Sequence, residues 1–525
     1  MTNDHLLAYP GSLTDIVLVA LNARYQHTSF ALRYLKANLH ELEERCQLLE
    51  FTLEERPLDC LEKLLALQPR LVGFSVYIWN VTPTLEIVRL LRRVAPEIVV
   101  ILGGPEVSYE WDQQEIVSLS DYLITHEGEV ALRELCRQLL QGQRPERKVV
   151  AGGQPDLESI SLPYRLYSDH DLAHRVIYVE ASRGCPFRCE FCLSSLDKAV
   201  RYFPLPQLLQ ELQALLDRGA RQFKFIDRTF NLRLEVSQQL LQFFLDRYVE
   251  GLFVHFEMVP DRFPAELREI VAQFPAGVVQ FEIGIQSFDD DVQKRISRRQ
   301  DMLKLEENLL YLRRDTGVHI HADLIVGLPG ETVEQFAAGF DRLVQLNPQE
   351  IQVGILKRLR GTPILRHDNP FAMIYSPSPP YEVLSTGAVP FVQMMEMKRF
   401  ARVWDVVANR GRFPRSLPLL LADSPFARFM DFVRWALEPM GGTREMSHLK
   451  LAELLFGYLV DQLGLPLLPT AEAALADYTE GNRRHPPGFL YERTEIPREM
   501  LRPNQAGTGP SRTLPSRQAR HLAVT

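Results

Sequence analysis

The amino-acid sequence predicts an α/β protein with three parts: a doubly wound parallel sheet, a partial (β/α)6 TIM-type barrel, and a mostly helical C-terminal domain. Three observations lead to this prediction. Strand-sized apolar runs alternate with amphipathic helical stretches from Asp15 onward, the alternation begins again at Val176, and it stops beyond Gly361. A chain of 525 residues is also long enough for about three or four folding units.

The first part of the chain carries five strand-sized apolar runs that are separated by helical stretches. This pattern predicts a Rossmann-like (flavodoxin-like) domain over residues 12–145, followed by a linker over residues 146–175. Right-handed crossovers place the loops that follow parallel strands at one sheet edge, so we expect a ligand-binding crevice there. The predicted strands are Ile16–Ala20, Gln47–Phe51, Leu71–Ser75, Ile98–Leu102 and Asp121–Ile124.

The second part, residues 176–360, contains six strand–helix repeats. A closed barrel of this kind needs eight repeats, so six predict a barrel that stays open. The C-terminal ends of the strands are where such barrels carry their active sites. The predicted strands are Ile177–Ala181, Phe223–Asp227, Phe253–Met258, Val279–Ile285, His319–Val326 and Ile351–Leu356.

The third part lacks strand alternation. Residues 361–480 carry apolar residues mainly at helical spacing and predict a helical domain. The apolar periodicity is lost from residue 486, and residues 501–525 hold four arginines and no acidic residue. We therefore predict a disordered tail over residues 486–525.

Charge and composition argue against several classes of protein. The chain has 59 Lys plus Arg against 67 Asp plus Glu, a formal net charge of −8, so we do not expect nucleic acid or an anionic membrane surface as a partner. No apolar run approaches the roughly 20 residues of a membrane-spanning helix. The N-terminal residues do not follow the secretory signal pattern, and we therefore expect a cytoplasmic protein.

Three of the six cysteines fall within the motif CPFRCEFC, residues 185–192, just after a predicted strand. Three thiolates on one loop can hold three irons of a [4Fe-4S] cubane and leave the fourth iron open to another ligand. A structural zinc site is the alternative, with His174 as a fourth ligand. Zinc knuckles pair two short cysteine motifs, however, and this chain has one.

The spacing CxxxCxxC with an aromatic residue before the last cysteine resembles the radical S-adenosylmethionine (SAM) superfamily. The resemblance implies that Cys185, Cys189 and Cys192 hold the cluster, that its fourth iron binds SAM, and that Phe191 packs near the adenine. It further implies an external one-electron reductant of the flavodoxin or ferredoxin type and reductive cleavage of SAM to a 5′-deoxyadenosyl radical. We also expect the positive charges of Arg183 and Arg188 to favour the thiolates.

Later segments resemble successive strand-end motifs of the same superfamily. By that resemblance Asp227, Glu257 and Gln286 contact the methionine or ribose of SAM, and Arg298 contacts its carboxylate. Each of these residues also has a structural interpretation as a satisfied strand-end side chain or part of a solvated helix face. The segments are residues 225–231, 256–260, 281–287, 294–299 and 323–332.

The first part resembles the cobalamin-binding domain that precedes the radical SAM domain in one large branch of the superfamily. The matching segments are residues 21–29, 73–77, 103–106 and 126–129, each of which follows a predicted strand. Small residues there let a corrin ring or its nucleotide tail approach the backbone. The chain lacks the D-x-H-x-x-G string of domains whose histidine ligates cobalt, so the lower axial ligand stays open. The implied cobalamin contacts are Ser75, Gly103, Gly104, Glu127 and Gly128.

Together the resemblances imply a radical SAM enzyme that uses cobalamin to transfer a methyl group to an unactivated carbon. Two alternatives stay open: a radical SAM enzyme without corrin, such as a methylthiotransferase, and a zinc-stabilised interaction protein. A methylthiotransferase would need three further cysteines at one site, whereas Cys46, Cys60 and Cys136 are predicted in helices or before a strand, where they do not converge.

The C-terminal part resembles an uncharacterised domain, which we expect to exclude water from a radical.

Overall fold

A computed structural model describes residues 14–437, 447–479, 487–494 and 516–522 of the chain. The chain divides into two compact units. Unit 1 contains the described residues up to Asp227 together with Arg358–Pro363 and Ser376–Tyr381. Unit 2 contains residues 228–357 and 364–375 and the described residues from Glu382 onward. Unit 1 therefore holds the predicted Rossmann-like domain, the predicted linker and the first strands of the predicted barrel.

Unit 1 contains a six-stranded parallel sheet in the order β2-β1-β3-β4-β5-β6. All five predicted strands are present, and β6 is an additional strand inside the predicted linker. Its three residues are too few to show a periodicity in the sequence. The strands are β1 (Ile16–Asn22), β2 (Cys46–Thr52), β3 (Leu71–Ser75), β4 (Val99–Gly103), β5 (Tyr122–Thr125) and β6 (Val149–Ala151).

Helices cover both faces of this sheet, because its strands are apolar on both sides. Every residue of β1 is buried, and alternate residues belong to two different apolar clusters, Val17 and Val19 to one and Ile16 and Leu18 to the other. The first helix ends at Ala37, and residues 40–45 form a 3₁₀-helix. The α-helices are α1 (Phe30–Ala37), α2 (Pro57–Leu65), α3 (Val81–Val94), α4 (Glu115–Leu119) and α5 (Glu129–Leu140).

All six strands of the predicted barrel are present. In unit 1, β7 (Ile177–Val179) pairs with β10 (Gln222–Phe225). Unit 1 also contains an antiparallel pair of two-residue strands, β8 (Ser182–Arg183) and β9 (Arg201–Tyr202), on either side of the cysteine motif. The strands in unit 2 follow the order β14-β13-β12-β11: β11 (Phe253–Met258), β12 (Val279–Gln286), β13 (His319–Val326) and β14 (Glu350–Ile355).

The helices that accompany these strands carry the predicted amphipathic pattern. In α7, Leu208, Leu212, Leu215 and Leu216 are buried, and the helix ends before Gly219, whose φ of +98° stops it. The helices are α6 (Asp169–His174), α7 (Leu205–Asp217), α8 (Leu234–Asp246), α9 (Ala265–Val271), α10 (Asp290–Arg295), α11 (Met302–Asp315) and α12 (Val333–Gln345).

The C-terminal part is mostly helical where it is described, as predicted, and also contains two short paired strands. Two stretches of the tail predicted to be disordered are helical, so that prediction is wrong for them; the rest of the tail beyond residue 494 lies outside the described residues. No helix among the described residues is long and apolar enough to cross a membrane. The elements are β15 (Ile374–Tyr375), β16 (Val383–Ser385), α13 (Phe391–Trp404), α14 (Ser416–Leu421), α15 (Pro425–Leu437), α16 (His448–Gly457), α17 (Leu467–Thr479), α18 (Gly488–Thr494) and α19 (Ser516–Leu522).

Helix α19 is held by polar contacts that apolar periodicity does not reveal. Glu350, the first residue of β14, is 2% exposed, and its carboxylate lies 2.7 Å from Arg517 of α19. The same carboxylate binds the imidazoles of His319 at 3.1 Å and His321 at 3.0 Å. Burial favours the protonated form of Glu350, yet the hydrogen bonds from both histidines lower its pKa below the usual value. A buried charge network thus fixes the last described helix in unit 2.

The charge on His321 makes the stability of unit 2 depend on pH. Burial favours the neutral imidazole, but hydrogen bonds to Asp323 and Glu350 raise the pKa of His321 to about 10. Its stabilising charge is therefore complete below the unfolded pKa near 6.5 and is lost as the pH rises through about 10. We expect His321→Gln to cost about 3 kcal/mol at pH 6, because it leaves buried carboxylates uncompensated, and much less at pH 10.

Thermal unfolding of wild type and His321→Gln between pH 6 and pH 10 measures the difference in their stability. The exposed His170 provides the matched control, since His170→Gln should shift the midpoint little at any pH. A difference between wild type and His321→Gln that stays constant from pH 6 to pH 10 would contradict the assignment of the charge.

Candidate functional site

The cysteine motif lies in a loop of unit 1 that is closed at both ends. Strands β8 and β9 pair in antiparallel fashion at its base, and the Cys185 N–H donates to the Asp197 carbonyl at 2.8 Å. Cys185 and Cys189 are buried, and Cys192 is half-buried and precedes a 3₁₀-helix. Phe191, the predicted adenine contact, is half-buried between the last two cysteines. The loop therefore presents three thiols from one short, enclosed stretch of backbone.

Gly184 is required for this closure. Its φ is +92°, and a Cβ atom there would lie 2.2 Å from the Ala199 carbonyl oxygen. No other residue type fits this backbone without displacement. The two ends of the loop consequently approach each other directly before the first cysteine.

The motif offers three thiols, one fewer than the four donors of a tetrahedral zinc ion and one for each of three irons of a cubane. Among the described residues, no three His, Cys, Asp or Glu side chains lie close enough together to hold one metal ion. A tetrahedral zinc ion needs four donors around one point, whereas a cubane takes one thiolate for each of three irons and leaves them apart. His174, the fourth ligand of the zinc alternative, is the exposed last residue of α6, and its ring centroid lies 4.8 Å from that of His170.

A cavity of about 750 Å³ lies within unit 1, and both the first sheet and the cysteine loop line it. Leu193 and Ser194, which directly follow Cys192, belong to its wall, as does Tyr178 of β7. This volume lies in the upper part of the range for cofactor pockets. The loops after β1, β3, β4 and β5 all reach it, as the parallel order predicts. Every residue predicted to contact cobalamin lines this cavity: Ser75, Gly103, Gly104, Glu127 and Gly128.

The glycines at the cavity wall provide a test of whether a large cofactor fits. Gly104 has a φ of +111°, and a Cβ there would lie 2.4 Å from the Val76 carbonyl oxygen. At Gly103 a Cβ would come no nearer than 3.7 Å to the Ile124 carbonyl oxygen, which is ordinary contact. The absence of side chains at both positions leaves backbone exposed along the cavity, as a bulky planar ligand requires. The residues present therefore fit a corrinoid.

Two histidines also line the cavity, and both already bind protein groups. His27 Nδ1 lies 2.7 Å from the Tyr178 hydroxyl, and burial together with the charge of Lys224 lowers the pKa of His27. His126 has a φ of +63°, and its Nδ1 lies 3.1 Å from the Thr125 hydroxyl. The Nδ1 atoms of both histidines thus have hydroxyl partners within unit 1.

Arg183 has a different role from the one the sequence predicts. We expected its charge to favour the cysteine thiolates, but the guanidinium binds three carboxylates: Glu127 at 2.8 Å, Glu129 at 2.8 Å and Glu180 at 2.9 Å. The charge of Arg183 is thus compensated within unit 1. Glu127 also pairs with Arg201, so this predicted cobalamin contact carries an ion pair as well. No spacing in the sequence indicates the pairs with Glu127 and Glu129, because these residues lie more than 50 positions from their arginine partners; only Glu180 is near Arg183 in sequence.

A second acidic residue of the cavity loops is bound in the same way. Glu106 follows Gly103 and Gly104 and is buried. Its Oε1 accepts hydrogen bonds from Arg360 at 2.9 Å and from the Tyr381 hydroxyl at 2.8 Å. The two later segments of unit 1, Arg358–Pro363 and Ser376–Tyr381, therefore hold the loop that carries Gly103 and Gly104.

Asp227, a predicted SAM contact, anchors the start of the cysteine loop. It follows β10 and is 3% exposed; one carboxylate oxygen accepts from the Ser182 hydroxyl at 2.5 Å and the other from the Ala181 N–H at 2.9 Å. Burial raises its pKa to about 7. Both oxygens are engaged by the segment that leads into the motif, a positioning role that the sequence did not predict.

In unit 2, the structure brings two of the predicted SAM contacts together. Gln286 ends β12 with a φ of +76°, and the register between β12 and β13 shifts there. Arg298 donates a hydrogen bond to the Gly284 carbonyl, beside Gln286. Glu257 lies near the end of β11, with Arg228 at 3.6 Å. All three lie at or beyond the C-terminal halves of their strands, where the barrel pattern predicts them.

Gly104 is the most restrictive position of the cavity wall, and its replacement tests the cavity directly. We expect Gly104→Ala to lower cobalamin uptake about tenfold or more, because the methyl group must displace the Val76 backbone between the cavity residues Ser75 and Tyr77, and a loss of roughly 1.4 kcal/mol of binding free energy is tenfold in affinity. Visible absorbance of the reconstituted protein after removal of free cobalamin gives the uptake. Gly142→Ala is the control: its φ is +83°, but nothing lies within 4 Å of the added Cβ. Equal uptake by wild type and both variants would contradict this cavity as the site.

Three family models match successive parts of the chain. A B12 binding domain model matches residues 16–136, a radical SAM superfamily model matches residues 179–343, and a model of a protein family of unknown function, DUF4080, matches residues 369–500. The first two matches coincide with the cavity loops and with the cysteine motif.

Curated relatives and a solved structure are similar to this chain. The chain is 25% identical over 334 residues to 2-(S-pantetheinyl)-carbapenam-3-carboxylate methyltransferase of Streptantibioticus cattleyicolor. The match covers 56% of this chain and 48% of that protein, so the chain spans about half the length of this relative. It is 23% identical to the cobalamin-dependent radical SAM methyltransferase TokK of Streptomyces tokunonensis, over 79% of this chain and 69% of TokK. The fold is similar to that of TsrM from Kitasatospora setae, a radical SAM methyltransferase solved with cobalamin and a [4Fe-4S] cluster. The two structures have a TM-score of 0.55 at 19% sequence identity, and the match covers 67% of this chain and 77% of TsrM.

Proposed function

The chain carries a B12-binding domain followed by a radical SAM domain, and on this premise we propose that it is a cobalamin-dependent radical SAM enzyme that transfers a methyl group to carbon. One observation carries the proposal. A single cavity of unit 1 is lined both by the loops that match the B12-binding domain and by the residues that directly follow Cys192. Methyl transfer in the relatives named above supports the reaction class.

The cofactors divide the chemistry between them. When bound, the cluster supplies one electron for the reductive cleavage of SAM, and cobalamin supplies the methyl group. The chain itself binds, orients and shields these groups. In this proposal Cys185, Cys189 and Cys192 hold three irons, and Gly103 and Gly104 give the corrinoid access to the backbone.

The remaining residues of the proposal act on SAM and on the loop. Phe191 packs near the adenine, and Glu257, Gln286 and Arg298 contact the polar part of SAM. Asp227 keeps the start of the cysteine loop in place through Ala181 and Ser182, as its two hydrogen bonds support. The proposal also includes an external one-electron reductant of the flavodoxin or ferredoxin type, because the reductive step consumes an electron that side chains do not supply.

The positions of the other cysteines argue against methylthiolation. Cys46 and Cys136 are buried on one face of the first sheet, and Cys60 is buried in the apolar cluster on the other face. Burial raises the pKa of Cys46 to about 12 and that of Cys60 to about 11, so both are protonated thiols at neutral pH. These three thiols do not form a second cluster site. No disulfide joins any of the six cysteines, all of which are among the described residues, and this supports a reducing compartment such as the cytoplasm.

Formation of 5′-deoxyadenosine tests the proposed activity. Anaerobically reconstituted protein with SAM and a strong reductant should release it, and Cys185→Ala should release no more than the protein-free control, because the cluster loses one of its three ligands. Chromatography of the quenched mixture measures the product. Cys60→Ala removes a thiol outside the motif at a cost of about 1 kcal/mol and should keep the activity. If wild type forms no 5′-deoxyadenosine, or Cys185→Ala forms as much as wild type, the proposal is wrong.

A further inference from the structure

We propose that Arg183 is a positioning residue that sets the place of the cysteine loop relative to the cavity for cobalamin. This inference rests on the proposed function, since it concerns the separation of the two cofactors. Arg183 is the last residue of β8 and stands two positions before Cys185. Two of its partners, Glu127 and Glu129, flank Gly128 in the loop that lines the cavity.

The contacts of Arg183 fix its guanidinium in all directions. Nη1 binds Glu127, Nη2 lies 2.8 Å from Glu129, and Nε and Nη2 bind Glu180 at 3.0 and 2.9 Å. The rings of Tyr34 and Phe203 lie 4.8 and 5.4 Å from the guanidinium carbon. The guanidinium is thus held by carboxylates at its N–H groups and by the two aromatic rings.

The environment makes these contacts strong. The side chain of Arg183 is 13% exposed, and those of Glu129 and Glu180 are 6% exposed. Ion pairs removed from water are screened little by salt, and the loss of one partner leaves a buried charge uncompensated. A movement of β8 away from the Glu127–Glu129 segment would break several of these contacts at once.

The partners connect two parts of the chain that are distant in sequence. Glu127 lies in the loop after β5, and Glu129 is the first residue of α5. Glu180 and Arg183 belong to the stretch from β7 to the cysteine motif. Arg201, which closes the other end of the cysteine loop in β9, also binds Glu127. Both ends of the cysteine loop therefore form an ion pair with the same cavity residue, Glu127.

A lysine cannot replace Arg183 in this role. Its ammonium is a point charge with three donors on a flexible stem and cannot meet three carboxylates in the plane that the rings define. Arg183→Lys keeps the charge, so the chain should fold and take up both cofactors. What it should lose is the uniform separation between them.

Electron paramagnetic resonance of the loaded protein measures that separation without turnover. The probes are cob(II)alamin and the dithionite-reduced cluster in anaerobically reconstituted protein. Two neighbouring paramagnetic centres split or broaden each other's signals. We expect a defined interaction in wild type and a weaker, heterogeneous one in Arg183→Lys, at unchanged iron and cobalt content.

Two further variants keep the test decisive. Glu129→Gln removes one partner and should change the interaction in the same direction if Arg183→Lys does not fold. Arg165→Gln is the matched control, because Arg165 forms an exposed ion pair with Glu43 in the same unit and should leave the signals unchanged. Signals identical to wild type in Arg183→Lys, or in Glu129→Gln when that variant replaces it, would overturn the positioning role. So would loaded wild type without any interaction. Wild type that binds no cobalamin would instead overturn the proposed function.

Discussion

The ion pairs of Arg183 join the B12-binding part of the chain to the strand that leads into the cysteine motif. The loop after β5 and the loop after β8 would otherwise be independent surface segments, each free to move with its own backbone. Because the guanidinium is buried and meets carboxylates from both, the two loops keep one arrangement. The cavity between them owes its shape to this arrangement, and so does the position of the residues that follow Cys192.

Parallel strand order supplies the larger constraint on which these contacts depend. Every loop that follows a strand of the first sheet emerges at the same edge, so glycines and acidic residues from distant parts of the sequence meet there. Gly104 lets the backbone pass close to Val76, and Glu106 ties the same loop to Arg360. The sheet thus provides a rigid edge, while specific polar contacts hold each loop in place on it.

The sequence predicts the elements whose signal is local. Strand-sized apolar runs identify all the strands that are five residues or longer, and the spacing of three cysteines identifies the motif. Contacts across the chain carry no such signal. The anchoring of Ala181 and Ser182 by Asp227 depends on the pairing of β7 with β10, and helix α19 depends on the contact of Arg517 with Glu350. Strand β6 is too short for a periodicity, and it pairs with β5, which is distant in sequence.

In our proposal, a single cavity of unit 1 receives the corrinoid beside the cluster loop. Anomalous X-ray diffraction at the iron and cobalt absorption edges, from crystals of the anaerobically reconstituted protein, tests this placement most directly. We expect an iron peak among Cys185, Cys189 and Cys192 and a cobalt peak in the cavity that Ser75 and Gly104 line. A cobalt peak elsewhere, no cobalt peak, or a zinc ion at the three cysteines would contradict it.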